Sequence, residues 1–321
     1  MVKQIILPEI CSEEDLDTVK GHHLDDGWIH HLIDEDCDIF TASPDNPMIA
    51  DKFILSFRKK CLVNTAVGFD NYKKLVAMSR GRGASAGPIV KDAEFWLGKE
   101  LLIRNNGFTT GYMKDGKPSK MTVNNSVYST VAGYFDKMNT MGKNLPCRMT
   151  NHTKKNFKNY EEGLPFIQEI ASYYQDIRPV EFNKQNCRAD LKKDFKITGT
   201  PFSTITINRN FRTALHKDSG DFGGFACLSV LEEGQYNGGI FMIPRYGIGV
   251  NMRHGDLLIA DVHQYHCNTE IWTTEEQDKF NVDNAPSFKN MTDTQKGILG
   301  GEQDFSRLSF VCYLREKMIK C

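Results

Sequence analysis

The chain has 321 residues, 40% of them hydrophobic and 25% charged, the composition of an ordinary globular protein long enough to bury a sizeable core. No run approaches the ~18 apolar residues of a membrane span, and the first eight residues hold too short an apolar centre for a signal peptide. The net charge of −1 argues against a nucleic-acid ligand until its distribution is seen: between Asp51 and Tyr160, twenty Lys or Arg stand against seven Asp or Glu, the pattern of a basic face on an otherwise acidic protein.

In chain order, residues 9 to 38 are acidic, and Ser12 before Glu13-Glu14-Asp15 predicts a helix N-cap with an acidic first turn. The pairs His22-His23 and His30-His31 lack spaced acidic or Cys partners and read as a solvated helix edge. Residues 51 to 77 carry Phe53, Phe57, Cys61 and Leu62 at helical spacing beside Arg58-Lys59-Lys60, which predicts an amphipathic helix. Residues 1–75 are thus expected to form a helical, acidic extension packed on a core domain of residues 76–321.

Met78-Ser79-Arg80-Gly81-Arg82-Gly83 is too rich in Gly for an ordinary helix or strand and matches no phosphate-loop motif. It fits a loop that contacts DNA or lines a substrate site, with Ser79, Arg80 and Arg82 as contact residues; a plain connector is the alternative. The stretches 114–120 and 137–158 are basic and interleaved with aromatic residues, as a phosphate track or a solvated surface would be. Leu164 to Ile177 is an amphipathic helix burying Phe166, Ile167, Ile170, Tyr173 and Tyr174, with Pro179 just beyond it.

From Thr198 the texture turns to β. Strand-like runs at Ser203–Asn208, Phe225–Leu231, Gly239–Ile243, Ile248–Met252, Asp256–Val262 and Arg307–Leu314 are separated by Gly-rich turns. Short strands of this kind suit a double-sheet jelly roll, an α+β fold with flanking helices. Residues 273 to 303 form a polar interruption with the character of a lid.

The chemistry concentrates in this β region. His216 and Asp218 stand two apart, the spacing that puts both on one extended face, and with a distant second His they complete the two-His-one-carboxylate triad of non-haem Fe(II) oxygenases. The third ligand lies in Asp261-Val-His263-Gln-Tyr-His266-Cys-Asn268. Its histidines are three apart, so in a strand only one of them faces the metal. On the last strand Arg307 and Ser309 share a face opposite Leu308 and Phe310, and a buried Arg beside a hydroxyl clamps the far carboxylate of a dicarboxylate.

The order H-x-D, distant H, then R-x-S resembles the 2-oxoglutarate/Fe(II) dioxygenases. The wording Asn208-Arg-Asn-Phe-Arg-Thr-Ala-Leu-His216-Lys-Asp218-Ser-Gly-Asp221-Phe, followed by His266-Cys-Asn268, is similar to the TET/JBP group and within it to the base-J thymine hydroxylases. The likeness extends from about Met78 to Arg315, through Gly133-Tyr-Phe-Asp136 and Pro146-Cys-Arg-Met-Thr150.

The resemblance implies a jelly-roll (double-stranded β-helix) core with Fe(II) on His216, Asp218 and His266. It favours His266 over His263 because Cys267-Asn268 follows. It further implies 2-oxoglutarate on Arg307, Ser309 and Asn208, O2 as co-substrate and ascorbate as an optional reductant. Asp221, five past His216, falls where TET-like enzymes read the target base; a turn-capping carboxylate is the alternative. The expected reaction is hydroxylation of the methyl group of a flipped pyrimidine in DNA, thymine to 5-hydroxymethyluracil first, with 5-methylcytosine oxidation or a protein or small-molecule hydroxylase as alternatives. The expected setting is intracellular, nuclear or, in a prokaryote or virus, cytoplasmic, with no membrane and no obligate protein partner. Nine scattered cysteines without C-x-x-C suggest neither a disulfide framework nor a zinc ribbon, and a reducing compartment suits ferrous iron.

Overall fold

A computed structural model describes residues 2–80, 85, 87, 102–103, 109–112, 118–123, 126–140, 143–218, 220–272 and 305–321. In chain order, the first part holds β1 (Lys3–Leu7), α1 (Glu13–Thr18), β2 (His31–Ile33), β3 (Cys37–Ala42), β4 (Ala50–Arg58), α2 (Thr65–Tyr72) and β5 (Met78–Arg80). Leu102–Ile103, Thr109–Tyr112 and Pro118–Val123 are β6 to β8, a separate antiparallel sheet. The long β9 (Ser126–Phe135) precedes the hairpin β10 (Met138–Thr140) and β11 (Lys143–Leu145), and then β12 (Arg148–Met149). Four helices follow: α3 (Asn151–Lys155), α4 (Phe157–Glu162), α5 (Leu164–Ile177) and α6 (Pro179–Asp190).

The C-terminal part is mostly strand: β13 (Thr204–Arg209), β14 (Phe225–Glu233), β15 (Asn237–Gly238), β16 (Phe241–Ile243) and β17 (Ile248–Val250). After them come β18 (Leu257–Asp261), β19 (Cys267–Asn268), β20 (Ile271–Trp272) and β21 (Ser306–Tyr313). A ten-stranded sheet in the order β1-β3-β4-β18-β14-β21-β13-β9-β12, with β5 on β9, faces a four-stranded sheet β19-β16-β17-β2. These two sheets with helices packed outside make the α+β double-stranded β-helix expected of the sequence.

Strand alternation sorts the large sheet into two faces. On β13 and β21, Ile205, Ile207, Leu308, Phe310 and Cys312 point outward into a core shared with Phe166, Ile167, Ile170 and Tyr174 of α5. A second core, of Ile54, Phe57, Val230 and Leu258 with Phe241, Ile243, Ile248 and Val250, fills the space between the sheets. The residues between the outward ones, Thr206, Asn208, Arg307, Ser309, Val311 and Tyr313, line the mouth of that sandwich. The helix predicted at 164–177 is α5 residue for residue, and the Ser12 cap is present as a capping box with Asp15.

Three expectations change. Residues 50–58 are not helical: Ala50–Arg58 is a strand between β3 and β18, buried on both sides from Ile54 to Phe57, and only Thr65–Tyr72 is α-helix. A strand covered on both faces loses its period-2 signature and becomes a continuous apolar run, which mimics a buried helix. The large sheet therefore continues without a break into the N-terminal segment. Met78–Arg80, expected as a loop, is a strand paired to Ser126–Tyr128. Among the cysteines, Cys147 and Cys321 are joined in a disulfide with Cα atoms 5.7 Å apart, while seven others are free. The expected lid at 273–303 lies outside the described residues. No helix among the described residues is long and apolar enough to cross a membrane.

Phe310 is fully buried, edge-to-face with Phe166 at 5.1 Å and Tyr72 at 5.6 Å. Phe310→Ala is expected to lower unfolding free energy by about 3–5 kcal/mol in chemical denaturation, because the cavity opens at the junction of sheet, α2 and α5. A loss below about 1 kcal/mol would mean that the helices do not dock through this ring.

Candidate metal and co-substrate site

Beyond Arg209 the chain leaves the sheet, and Asn210 adopts a left-handed turn with φ of 49°. Asn tolerates that conformation better than most residues because its short amide bonds locally. Here Asn210 Oδ1 accepts from the Arg307 N–H at 2.6 Å, and the Asn210 N–H donates to the Arg307 carbonyl at 2.9 Å. The turn sends the chain across the mouth of the sandwich to His216. There the His216 N–H donates to the His266 carbonyl at 3.0 Å and the His266 N–H donates back at 2.9 Å. Asp218 is anchored in turn by its N–H on the Val262 carbonyl at 3.0 Å.

This backbone bridge places the two imidazoles side by side, ring centroids 4.3 Å apart. His216 Nδ1 lies 2.8 Å from the Ala214 carbonyl and His266 Nδ1 lies 2.9 Å from the Gln264 carbonyl. A carbonyl can only accept, so each Nδ1 carries the proton and each Nε2 presents a lone pair. Both Nε2 atoms face Asp218, His216 at 3.8 Å from Oδ1 and His266 at 3.7 Å from Oδ2. Burial and the neighbouring His216 push the His266 pKa down to about 4, so this imidazole is neutral and ready to ligate at physiological pH. The three ligand atoms lie within 4.8 Å of one another, a donor set of two neutral nitrogens and one carboxylate oxygen that suits a divalent iron.

His263 does not join them. It is exposed in the turn after β18, where its Nε2 donates to the Asp221 backbone carbonyl at 3.1 Å. The strand ends at Asp261, so the intervening turn, rather than strand alternation, separates the two histidines.

A cavity of about 490 Å³ opens from the triad and contains Asn208, Arg307, Ser309 and Asp221 in its walls. Arg307 is 3% exposed, and its Nη2 donates to the Gly239 carbonyl at 3.1 Å. Gly239 is required there: its φ is +65°, and a Cβ would sit 3.2 Å from Arg307 Nε. Among the described residues, Arg307 Nε and Asn208 Oδ1 are buried without hydrogen-bond partners. Stranded polar atoms in a dry wall cost free energy unless a ligand completes them. A guanidinium beside the Ser309 hydroxyl fits a carboxylate end group.

The same cavity is lined by Asp221, 6% exposed, whose Oδ2 has no partner among the described residues. Burial, reinforced by Asp218, holds its carboxyl well above the usual carboxylate range, and Arg315 opposes this. Arg315 Nε donates to Asp136 Oδ1 at 2.8 Å, its guanidinium lies 4.0 Å over the Phe135 ring, and Tyr313 Oη pairs with Thr206 Oγ1 at 3.3 Å. Asn210, Arg315, Asp136 and Tyr313 were not expected from the sequence, where only the apolar alternation of β21 and the Gly133–Asp136 wording hinted at them.

Ser79 is exposed, and its hydroxyl donates to the Ser129 carbonyl at 3.0 Å rather than facing the cavity, whereas Ser129 itself lines it. Arg80 ends β5, and Arg82 lies outside the described residues. The basic excess is also redistributed: Arg58, Lys59 and Lys73 pair with Asp38, Asp34 and Glu233. Lys154, Lys155 and Lys158 sit on α3 and α4, whose Tyr160 belongs to the helix-side core.

A two-His-one-carboxylate cluster at the mouth of a double-stranded β-helix defines the class of non-haem iron oxygenases. Comparison with known proteins then places the chain: it belongs to the Tet_JBP family, the oxygenase domain of the 2-oxoglutarate/Fe(II) dioxygenase (2OGFeDO) superfamily, matched over residues 130–316. The family chemistry uses Fe(II), 2-oxoglutarate and O2. Relatives include a thymine dioxygenase JBP1 of Trypanosoma brucei brucei, 38% identical over 148 residues, or 46% of this chain and 17% of the relative. Another is thymine dioxygenase JBP1 of Leishmania infantum, 34% identical over 197 residues, 60% of this chain and 23% of the relative. The chain thus matches less than a quarter of either relative's length. A solved structure of NgTET1 in complex with 5mC DNA covers 89% of this chain and 82% of that chain at a TM-score of 0.46 and 13% identity.

Two outcomes test the geometry. His266→Ala is expected to abolish tight Fe(II) binding in equilibrium titration, while His263→Ala leaves it within about threefold; the reverse ranking would contradict the site. The metal-free protein should also lose stability as pH falls from 6.5 towards about 4. In that window the unfolded chain takes up a proton that buried His266 resists, and His266→Gln should flatten the slope in pH-dependent denaturation.

Proposed function

We propose that this protein is an Fe(II)- and 2-oxoglutarate-dependent dioxygenase that hydroxylates the methyl group of a pyrimidine base in DNA, with thymine as the preferred base. The observation that carries the reading is the convergence of His216, Asp218 and His266 at the mouth of a cavity walled by Arg307. The thymine dioxygenase relatives supply the direction for substrate. The oxygenase unit is taken as residues 76–321 with residues 1–75 packed on it.

In this reading His216 and His266 hold the metal through Nε2, each ring oriented by its Nδ1–H on a main-chain carbonyl, and Asp218 supplies the anionic ligand. Bound Fe(II), with O2 and 2-oxoglutarate, supplies the oxidant that inserts one oxygen into a C–H bond and the other into succinate, with loss of CO2. The retained carboxylate at Asp218 favours hydroxylation over halogenation, because a halide would need that coordination position. Arg307 and Ser309 bind the distal carboxylate of 2-oxoglutarate, with Asn208 beside them.

A duplex hides the thymine methyl in its groove, so the base must be flipped into the cavity and held by its pairing edge. Asp221, buried with an oxygen unpartnered among the described residues, is proposed to bond that edge, its carbonyl-type oxygen accepting from thymine N3–H. Ser79, Arg80 and Arg82 are proposed to contact the strand outside the cavity, through β5 and the residues after it.

The test incubates thymine-containing and 5-methylcytosine-containing oligonucleotides with protein, Fe(II), 2-oxoglutarate and ascorbate, then digests them to nucleosides for mass spectrometry. One added oxygen on thymidine is expected, with less on 5-methyldeoxycytidine. Oxidation of neither, beside clear hydroxylation of a peptide or free amino acid, would overturn the nucleic-acid reading. For the co-substrate, Arg307→Lys keeps the charge and loses the planar fork, so the KM for 2-oxoglutarate should rise about 10- to 100-fold in initial-rate assays, as for loss of a charged hydrogen bond.

A further inference from the structure

The residues on either side of the metal ligands are held by the N-terminal segment, which lies outside the family match. Helix α1 is capped by Ser12, whose Oγ accepts from the Asp15 N–H at 3.1 Å while Asp15 Oδ2 accepts from the Ser12 N–H at 3.0 Å. The cap fixes where the helix starts, so Glu13 and Asp17, four apart, emerge on one side of it. Glu13 bonds Lys217, the residue between His216 and Asp218. Asp17 accepts from the hydroxyl of Tyr265, the residue before His266. Leu16, fully buried between them, packs in one cluster with Leu215, Tyr265 and Cys267, the immediate neighbours of both histidines.

The turn after the helix continues the grip. The Gly21 N–H donates to the Leu215 carbonyl at 2.8 Å, and the Leu215 N–H donates to the His22 carbonyl at 2.9 Å, so the chain entering His216 is laced to residues 21–22. Lys217 Nζ lies 4.5 Å over the Tyr265 ring, which couples the two gripped segments to each other. Glu13 is itself braced by Arg245 Nη1 at 3.3 Å.

We propose that Glu13 and Asp17 are positioning residues for the metal site, holding through Lys217 and Tyr265 the two histidine-bearing segments at ligating separation. The proposal rests on the His216–Asp218–His266 metal site above. Two imidazole lone pairs aimed at one point repel in the absence of a cation, so the backbone bridge between His216 and His266 works against that repulsion and gains from bracing behind it. Groups that orient ligands without touching the metal set its affinity, and losing them costs about 10- to 100-fold.

The test titrates the metal-free full chain with Co(II) alone, read by the visible d–d absorption of the bound ion, with thermal unfolding of the metal-free protein measured in parallel. The variant Glu13→Gln with Asp17→Asn should bind Co(II) about tenfold or more weakly, with altered d–d bands, at an unchanged metal-free Tm. Glu9→Gln, which removes a neighbouring ion pair with Arg245 away from the ligand loop, should match the wild type. Should the double variant unfold, Tyr265→Phe decides, because it keeps the ring and deletes only the Asp17 bond; the same weakening is expected. Wild-type affinity and spectrum in Tyr265→Phe and the double variant would overturn the proposal. Wild-type Co(II) binding that survives His266→Ala would instead overturn the metal site on which the proposal stands.

Discussion

Two backbone hydrogen bonds between His216 and His266 hold the site together. The two residues are fifty apart in sequence and belong to different segments, one crossing the mouth of the sandwich after β13, the other entering β19. Their reciprocal N–H to carbonyl pairing, 3.0 and 2.9 Å, is an isolated antiparallel bridge, and it makes the distance between the imidazoles a property of the backbone. Side-chain freedom is then removed by the Nδ1 bonds to Ala214 and Gln264. What remains is one carboxylate, Asp218, whose main chain is tied to Val262. Three donors from two segments are preorganised by neighbours that have no chemistry of their own.

The cavity wall is divided by charge. At one side Arg307, locked by Gly239 and by the Asn210 turn, offers a cation on the same strand face as Ser309. Elsewhere in the wall, burial and, after it, the neighbouring Asp218 make the Asp221 carboxyl hold its proton more strongly than in water. A carboxyl that keeps its proton offers a neutral hydrogen-bonding group where Arg307 offers a cation.

Much of this was legible in the sequence, for identifiable reasons. The ligand pair His216 and Asp218 is local, and period-2 alternation on β21 separates Arg307 and Ser309 from Leu308 and Phe310 whatever the rest of the chain does. Helix α5 carries an uninterrupted amphipathic pattern before a proline. The choice between His263 and His266 depended on a turn after Asp261, which periodicity cannot supply and which the family wording did. Strand β4 has the look of a helix in sequence because it is covered on both faces, so Ile54 to Phe57 lack the alternation that marks a strand. The basic excess between Asp51 and Tyr160 is partly neutralised by Asp34, Asp38 and Glu233, which lie outside that stretch. The contacts of α1 with Lys217 and Tyr265 span more than two hundred residues and leave no local trace.

The central claim is that one cavity joins a His-His-Asp metal site to a 2-oxoglutarate site. It is tested most directly by anaerobic absorption spectroscopy of the purified protein, adding Fe(II) and 2-oxoglutarate singly and together. A visible charge-transfer band that requires both is the predicted result, since it arises only when the keto acid chelates the protein-bound iron. No such band at saturating concentrations of both would contradict the account.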